Sequence, residues 1–360
     1  MTLAGPTATR ADRLEQRLAE RELDALLVTN LVNVRYLTGF TGTNAVALVG
    51  PEVRLFATDF RYVEQAAEQV PDFERVRGRL DLLEDAAKRM SGRIGFDDSH
   101  MTVRQHRRLR ELIPDGVELV AAGGAVEEVR AVKDAGEIEL IRAAAKLMDG
   151  VYEHIAARGL VGRTEREVAL DIEREARERG AEGLSFPSIV AGGGHGALPH
   201  AEPRDVRIEA DTLVVVDTGC VLDGYCSDAT RTFATGTLSG EARAVYDLVL
   251  EAQIASLGAV RAGVSGKAVD TVARDLIAAA GHGDRFGHGL GHGVGLEIHE
   301  APRLSQSADD SPLVAGNVVT VEPGVYLPGK LGVRIEDLVV VTEDGSENLT
   351  GYTKELVTVD

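Results

Sequence analysis

The sequence predicts an α+β protein in two parts: an α/β amino-terminal domain, then a helix-and-sheet domain whose halves repeat one plan. Three observations carry that expectation. Helical and strand signals alternate over residues 1–123, a helix, helix, hairpin order occurs twice after residue 134, and four acidic residues interrupt apolar strand-like runs. At 360 residues the chain exceeds the usual single core. The expected division is therefore 1–123, a linker at 124–133, and 134–360.

In the first part LEQRLAERELDALLV is amphipathic, AVALVG and VRLFAT are short β-rich runs, and EQAAEQV is helical again. His100 and His106, in SHMTVRQHRRLR, read as solvated helix residues, so this part shows no catalytic cluster. A net charge of −19 spread along the chain argues against nucleic-acid and anionic-membrane partners. The opening MTLAGPTATRADRLEQRLAERELDALLV does not read as a signal peptide, and no run approaches a membrane span, so the expected location is cytoplasmic. Cys220 and Cys226 lack CxxC spacing and read as reduced packing residues.

The second part opens at Asp134, with Glu137 three residues on as a capping partner and Ile138, Ile141, Ala145, Met148, Tyr152 and Ile155 forming one stripe. His154 beside that stripe reads as a surface or partly packed residue. A second helix starts at Thr164, capped with Glu167, and ends near Gly180. LSFPSIVAGGGHGALPHAEP reads as loop around its glycines; TLVVVDTGCVLDGYCSDATRTFATG reads as two strands turning at Leu222, Asp223 and Gly224. The plan recurs with helices from Ser239 to about Ala262 and from Ser265 to about Ala280, then strand signals to the end. Two β layers built this way can meet centrally and share one site.

GHGLGHGVGLEIHE concentrates His288, His292 and His299 in a chain of nine histidines. If extended, it sets His288 and His292 on one face about 13 Å apart, too far to bind one ion together. The interleaved glycines let neighbouring backbone come close. The acids sharpen the reading. Asp217 stands in LVVVDTG, Asp228 in CSDATRTF, Glu322 in NVVTVEPGVYL and Glu336 in GVRIEDLVVV. Carboxylates among valines are costly unless paired or metal-bound. Four of them supply a charge of about −4, which two divalent cations neutralise, and a neutral imidazole completes a donor set suited to Mn, Co or Zn. Two such ions activate a shared water and polarise a carbonyl, the chemistry of amide hydrolysis.

VDTGCVLDGYCSDATRTF, GHGLGHGVGLEIHE, VVTVEPGVY and GVRIEDLVVV, in this order, resemble the pita-bread metallopeptidases, in particular Xaa-Pro aminopeptidases and Xaa-Pro dipeptidases (prolidases). NVRYLTGFTG and ATDFRYVEQA resemble their creatinase-type amino-terminal domain. The resemblance implies a pita-bread catalytic domain with pseudo-twofold symmetry and two divalent metal ions, Mn before Co or Zn. By it Asp217 chelates one ion, Asp228 and Glu336 bridge both, and His292 and Glu322 bind the other, Glu322 also taking the water's proton. His299 contacts the scissile carbonyl, His288 and His200 in ALPHAEP line the substrate, and Arg334 and Tyr326 support the metal aspartate. His195 and His282 have no motif role.

The activity implied is hydrolysis of the bond between an amino-terminal residue and a following proline by an Xaa-Pro aminopeptidase. The alternatives are an Xaa-Pro or broader Xaa-Xaa dipeptidase, a pita-bread hydrolase or lyase acting on a small non-peptide molecule, and a non-catalytic binding protein. Proline-containing peptides or dipeptides are the partners expected, and the resemblance implies a homodimer.

Overall fold

Residues 7–79 and 81–360 are described in this computed structural model. Residues 1–6, where the segment read as lacking a signal peptide begins, lie outside them. The described chain forms two compact units that divide between Arg130 and Ala131.

The first unit is a mixed six-stranded sheet flanked by helices. Its elements run α1 (Thr7–Glu20), β1 (Ala25–Val28), α2 (Leu31–Thr38), β2 (Ala45–Gly50), β3 (Val53–Thr58), α3 (Val63–Gln69), β4 (Glu74–Arg77), α4 (Leu82–Ala87), β5 (Arg93–Phe96), α5 (Val103–Leu112), β6 (Glu118–Ala121) and α6 (Ala125–Ala131). The sheet order is β4-β3-β2-β1-β5-β6, with β1, β5 and β6 parallel and the β1–β2 and β2–β3 pairs antiparallel. β1 and β2 are buried throughout, as central strands with covered faces require. Only half of the histidine expectation survives here. His100 is exposed in the turn before α5, whereas His106 lies within α5, half-buried with its ring 4.9 Å from that of Phe96.

In the second unit each half begins with two helices. α7 (Ala135–Arg158) and α8 (Glu165–Glu178) both start in the capping boxes read from the sequence, Asp134 with Glu137 and Thr164 with Glu167. Each box satisfies backbone donors that a helix start leaves open, at about 1 kcal/mol per cap. α9 (Gly240–Ala259) and α10 (Gly266–Ala279) repeat the pair, capped by Ser239 and Ser265.

The strands of the first half are β7 (Gly183–Leu184), β8 (Ile189–Gly192), β9 (Leu213–Thr218), β10 (Cys220–Leu222), β11 (Tyr225–Cys226) and β12 (Ala229–Ala234). The expected hairpin forms, turning at Asp223 and Gly224, both with positive φ, but it is cut in two. β9 and β12 pair with each other and with β8, while β10 and β11 peel away to pair with β7. The break falls at Gly219, where any Cβ would strike the Ser227 carbonyl of the facing chain. β8 is a correction to the loop reading: its IVAG run is short, yet it completes the sheet beside β9. Cys220 and Cys226 are free thiols, both buried.

The second half supplies β13 (Gly291–Gly293), β14 (Glu300–Leu304), β15 (Val318–Val321), β16 (Gly324–Leu327), β17 (Leu331–Arg334), β18 (Asp337–Val341) and β19 (Ser346–Asn348). The order β14-β13-β15-β18-β19 makes one sheet and β16–β17 a separate ribbon. An isolated bridge between Thr230 and Glu336 ties the two halves together at the centre. One core packs α7 and α8 on β9 through Met148, Tyr152, Ile155, Val168, Ile172, Val214 and Val216. The other packs α9 and α10 through Val249, Val269, Ile277, Val319, Val321 and Val339. Each such side chain contributes about 1.5–3 kcal/mol by leaving water. Helices thus cover the outer faces and leave the charged residues to the middle.

Candidate metal centre

The histidine-glycine segment is less extended than its alternation suggests. Only Gly291–Gly293 is strand, and His288 sits in the loop before it. Within the strand the glycines have a steric cause. A Cβ on Gly291 would strike the Thr320 carbonyl and one on Gly293 the Ala301 carbonyl, the chains on either side of β13. The 13 Å expectation therefore does not apply, because its premise of a straight strand fails.

The four acids also depart from the reading in a useful way. Asp217 lies within β9, but Asp228 directly precedes β12, Glu322 follows β15, and Glu336 separates β17 from β18. At a break the backbone leaves the ladder, so a side chain can turn out of the alternating in-and-out pattern. Three of the acids stand at such ends, Glu336 keeping only its isolated bridge to Thr230.

Asp228, His292 and Glu336 each offer a donor atom, and these atoms lie within 4.8 Å of one another. His292 Nε2 is 3.5 Å from Asp228 Oδ2 and 3.4 Å from Glu322 Oε1. Its Nδ1 is 3.1 Å from the Gly293 carbonyl. A carbonyl only accepts, so Nδ1 holds the proton and Nε2 presents a lone pair to the acids. Asp217 turns Oδ2 to the Arg334 guanidinium at 2.6 Å, while its Oδ1 is buried with no hydrogen-bond partner among the described residues.

Two threonines orient this set. Thr230 Oγ1 donates to Glu336 Oε2 at 2.7 Å and accepts from Arg334 Nε at 3.1 Å. Thr320 Oγ1 donates to Glu322 Oε1 at 3.2 Å and accepts from the His292 amide at 3.0 Å. Arg334 also donates to Tyr326 Oη at 2.8 Å and to the Pro199 carbonyl at 3.2 Å. Tyr326 Oη lies 2.9 Å from His288 Nε2, and His288 Nδ1 donates to the Gly289 carbonyl at 2.7 Å.

Burial dominates the electrostatics. It pushes the Glu322 carboxyl up to about 8. Asp228 and Glu336 stand well above the usual carboxylate range, through burial first and then the neighbouring acids. Burial pushes His288 and His292 down to about 4, so both are neutral imidazoles. His299 is lowered as well, by burial and then by Arg303 and His200. Arg334 is raised well above its ordinary value despite burial, held by Tyr326, Asp217 and Glu322. It is one cation against four acids. The grouped Asp228, His292 and Glu336 donors, with Glu322 beside the same imidazole and an orphaned Asp217 oxygen on Arg334, offer the oxygen-rich set that divalent cations favour.

His299 is exposed, with its ring 4.3 Å from that of His292. His200 is exposed too, and is among the groups that lower both His288 and His299. His195 instead donates to buried Glu165, Nδ1 to Oε1 at 2.9 Å, and His282 sits at the start of a short 3-10 turn. Sequence reasoning missed Thr230, Thr320 and Arg303. The threonines carry a faint signal, hydroxyls inside buried valine-rich or acid-flanked strands. Arg303 carries one only through register. It faces His292 across the β13–β14 pair, so the two side chains share a face, and its charge acts on His292 and His299.

Residues 139–343 match metallopeptidase family M24, and residues 10–132 match the creatinase/prolidase N-terminal domain. The chain is similar to the solved structure of an Xaa-Pro dipeptidase from Bacillus anthracis, with TM-score 0.95 and 39% identity over 98% of this chain and 100% of that one. It is also similar to an X-Pro aminopeptidase structure from Thermotoga maritima MSB8, with TM-score 0.88 and 37% identity over 95% and 99%. A protein from Pyrococcus furiosus named Xaa-Pro dipeptidase is 34% identical over 97% of this chain and 99% of its own. No helix among the described residues is long and apolar enough to cross a membrane.

Proposed function

Because the chain belongs to metallopeptidase family M24 and carries a creatinase/prolidase N-terminal domain, we propose that this metallopeptidase is an Xaa-Pro dipeptidase. The single observation that carries the chemistry is the cluster of Asp228, His292 and Glu336, whose donor atoms lie within 4.8 Å of one another; Glu322, 3.4 Å from His292, and Asp217, with a partnerless Oδ1, support extending it to five. Family resemblance assigns these five to two divalent ions, and manganese is the metal proposed, cobalt and zinc meeting the same donor chemistry. When bound, such ions supply Lewis acidity and an activated water.

The chain's own residues do the rest. Glu322, beside His292, is placed as a carboxylate to take a proton from the attacking water and pass it to the departing proline nitrogen. His299 and His288, both lowered by burial and so neutral, offer hydrogen bonds to the peptide and to charge developing on its carbonyl oxygen. Arg334 fixes Asp217 and leaves Oδ1 free to coordinate.

The sequence alone put the aminopeptidase first, with the dipeptidase as its alternative. The comparisons favour the alternative, since the dipeptidase structure fits at TM-score 0.95 and the aminopeptidase at 0.88. Arg303 supports the same choice. A dipeptide carries a free carboxylate one residue beyond the scissile bond, and an exposed arginine on the His292 face can receive it. The homodimer remains part of the reading, to be tested by light scattering.

The deciding experiment offers manganese-loaded protein Xaa-Pro dipeptides, Xaa-Pro-Xaa tripeptides and Xaa-Ala dipeptides, and follows residue release. Cleavage of the first set above the others is expected. Preference for tripeptides restores the aminopeptidase, and no turnover with any divalent metal removes both peptidase readings.

A further inference from the structure

The loop that carries His288 is held from behind by two residues that take no part in the centre described above. Asp270, in α10, is fully buried. Its Oδ1 accepts from the Leu290 amide at 2.9 Å, and both its oxygens accept from Arg274, Oδ2 from Nε at 2.8 Å and Oδ1 from Nη2 at 2.9 Å. Gln306 closes the set by donating to Oδ2 at 2.6 Å. Arg274 then reaches across the loop. It donates to the Phe286 carbonyl at 2.9 Å and to the His288 carbonyl at 2.8 Å, and its guanidinium stacks 4.4 Å over the Phe286 ring.

These contacts grip the backbone on both sides of His288 as well as at it. The Phe286 ring, itself buried, meets the His288 ring edge-on at 5.1 Å. The imidazole has two rotatable bonds, and both are thereby decided: the backbone is fixed by Arg274 and Asp270, and the ring is wedged between Phe286 and Tyr326. The grip also explains why residues 287–290 do not join the strand. The Leu290 amide and the His288 carbonyl are bonded to α10 rather than to a ladder, although the Leu290 carbonyl still accepts from the Glu322 amide at 2.8 Å.

The first half holds its own loop with the same device. Buried Glu165, at the start of α8, accepts from the Gly192 amide at 3.1 Å and the Arg204 amide at 3.0 Å, and pairs with the Arg204 guanidinium at 3.1 Å. That brackets the segment bearing Pro199 and His200. In each half, then, an acid on the second helix and an arginine clamp the histidine-bearing loop.

We propose that Asp270 and Arg274 are positioning residues for His288, fixing where its imidazole meets the substrate. The pair touches no substrate. The proposal rests on the peptidase reading for the identity of that substrate, but the clamp itself is testable without turnover. Lysine at 274 keeps the charge while losing the planar fork that reaches two carbonyls and stacks on Phe286.

The test uses full-length, metal-loaded wild type, Arg274→Lys and Asp270→Asn, with Glu165→Gln as the control on the other loop. Diethyl pyrocarbonate modification, mapped by mass spectrometry, reads His288 directly, and amide exchange reads the segment around Leu290. In Arg274→Lys, His288 is expected to react about tenfold faster and the segment to exchange about tenfold faster, the worth of one or two lost hydrogen bonds. Metal content stays as in wild type, and Glu165→Gln leaves His288 within about twofold. KM for an Xaa-Pro dipeptide rises about tenfold with kcat held within about threefold. If Asp270→Asn fails to fold, Arg274→Lys, whose side chain is partly exposed, decides alone. His288 reactivity and exchange unchanged in a folded Arg274→Lys overturn the proposal. Absence of peptidase activity in wild type with the His288 changes intact overturns the substrate reading and leaves the clamp standing.

Discussion

Replacing Glu322 with glutamine in the metal-free protein should stabilise it, and more so as pH rises. The folded protein holds the Glu322 carboxyl at about 8 against 4.5 for an ordinary glutamate. A raised carboxyl means that the folded state keeps a proton the unfolded chain releases. Stability is therefore lost as pH climbs from 4.5 toward 8. The full penalty is 3.5 units at about 1.4 kcal/mol each, about 5 kcal/mol, of which about 4 falls between pH 5 and 8.5. The side chain is 17% exposed, so little of that is relieved by water. His288 and His292, lowered to about 4, act in the opposite sense between pH 4 and 6.5. They are present in both proteins and cancel in the comparison. Glutamine keeps the shape and does not titrate. In EDTA the Tm of Glu322→Gln relative to wild type should thus rise by about 8–16 °C from pH 5 to pH 8.5, at 2–4 °C per kcal/mol. Relief of Asp228 and Glu336, which the same acid pushes up, adds in the same direction. Differential scanning calorimetry with and without manganese checks it. With metal the order should reverse, because the ion needs the charged oxygen. A Tm difference that does not change with pH refutes the claim that buried, mutually repelling acids await a cation here.

Thr230→Val leaves Glu336 without its 2.7 Å donor and should weaken metal binding about 10- to 100-fold, measured by chelator competition; wild-type affinity would mean the hydroxyl does not orient that acid. Asp228→Ala should abolish metal retention in elemental analysis, and unchanged metal content contradicts its place among the donors. Arg303→Gln should raise KM for Xaa-Pro dipeptides about 10- to 100-fold, the loss of a charge-assisted hydrogen bond, with little change for carboxyl-amidated substrates; equal effects on both mean the arginine does not read the free carboxylate.

Helix starts were legible because their signals are local. Asp134 with Glu137 and Thr164 with Glu167 form the capping boxes that three-residue spacing announces, and the cap decides the first turn without help from tertiary packing. Strand ends were not. The TLVVVDTGCVLDGYC run has one continuous apolar signal, yet its ladder breaks at Gly219 because the Ser227 carbonyl occupies the space a side chain would need. β8 was hidden for the opposite reason: a short run beside glycines looks like loop until β9 offers it hydrogen bonds. Thr230, Thr320 and Arg303 share that dependence on partners far along the chain. A hydroxyl in a buried strand is only a faint local mark, and it does not name the acid 106 residues away that Thr230 will meet.

The centre itself was legible for a thermodynamic reason. A single acid in an apolar strand has many explanations, since a salt bridge or an edge position can satisfy it. Asp337 is such a case: it is fully buried one residue from Glu336, but Arg231, Gln253, Asn348 and Lys354 surround it, and its carboxyl is lowered despite burial. Glu336 has one neutral hydroxyl and the backbone break, and its carboxyl is raised. Adjacent residues of like charge and like burial are thus pushed in opposite directions by whether the fold provides cations. At Asp337 it provides two. At the central cluster Arg334 is the one cation among the described residues that lowers the raised acids, and His292 turns a lone pair toward them rather than a proton. A fold that surrounds one buried carboxylate with protein cations and withholds them from its neighbour has left a charge for something else to neutralise. The elemental analysis of Asp228→Ala and the reversal of Tm order with manganese ask whether that something is a metal ion.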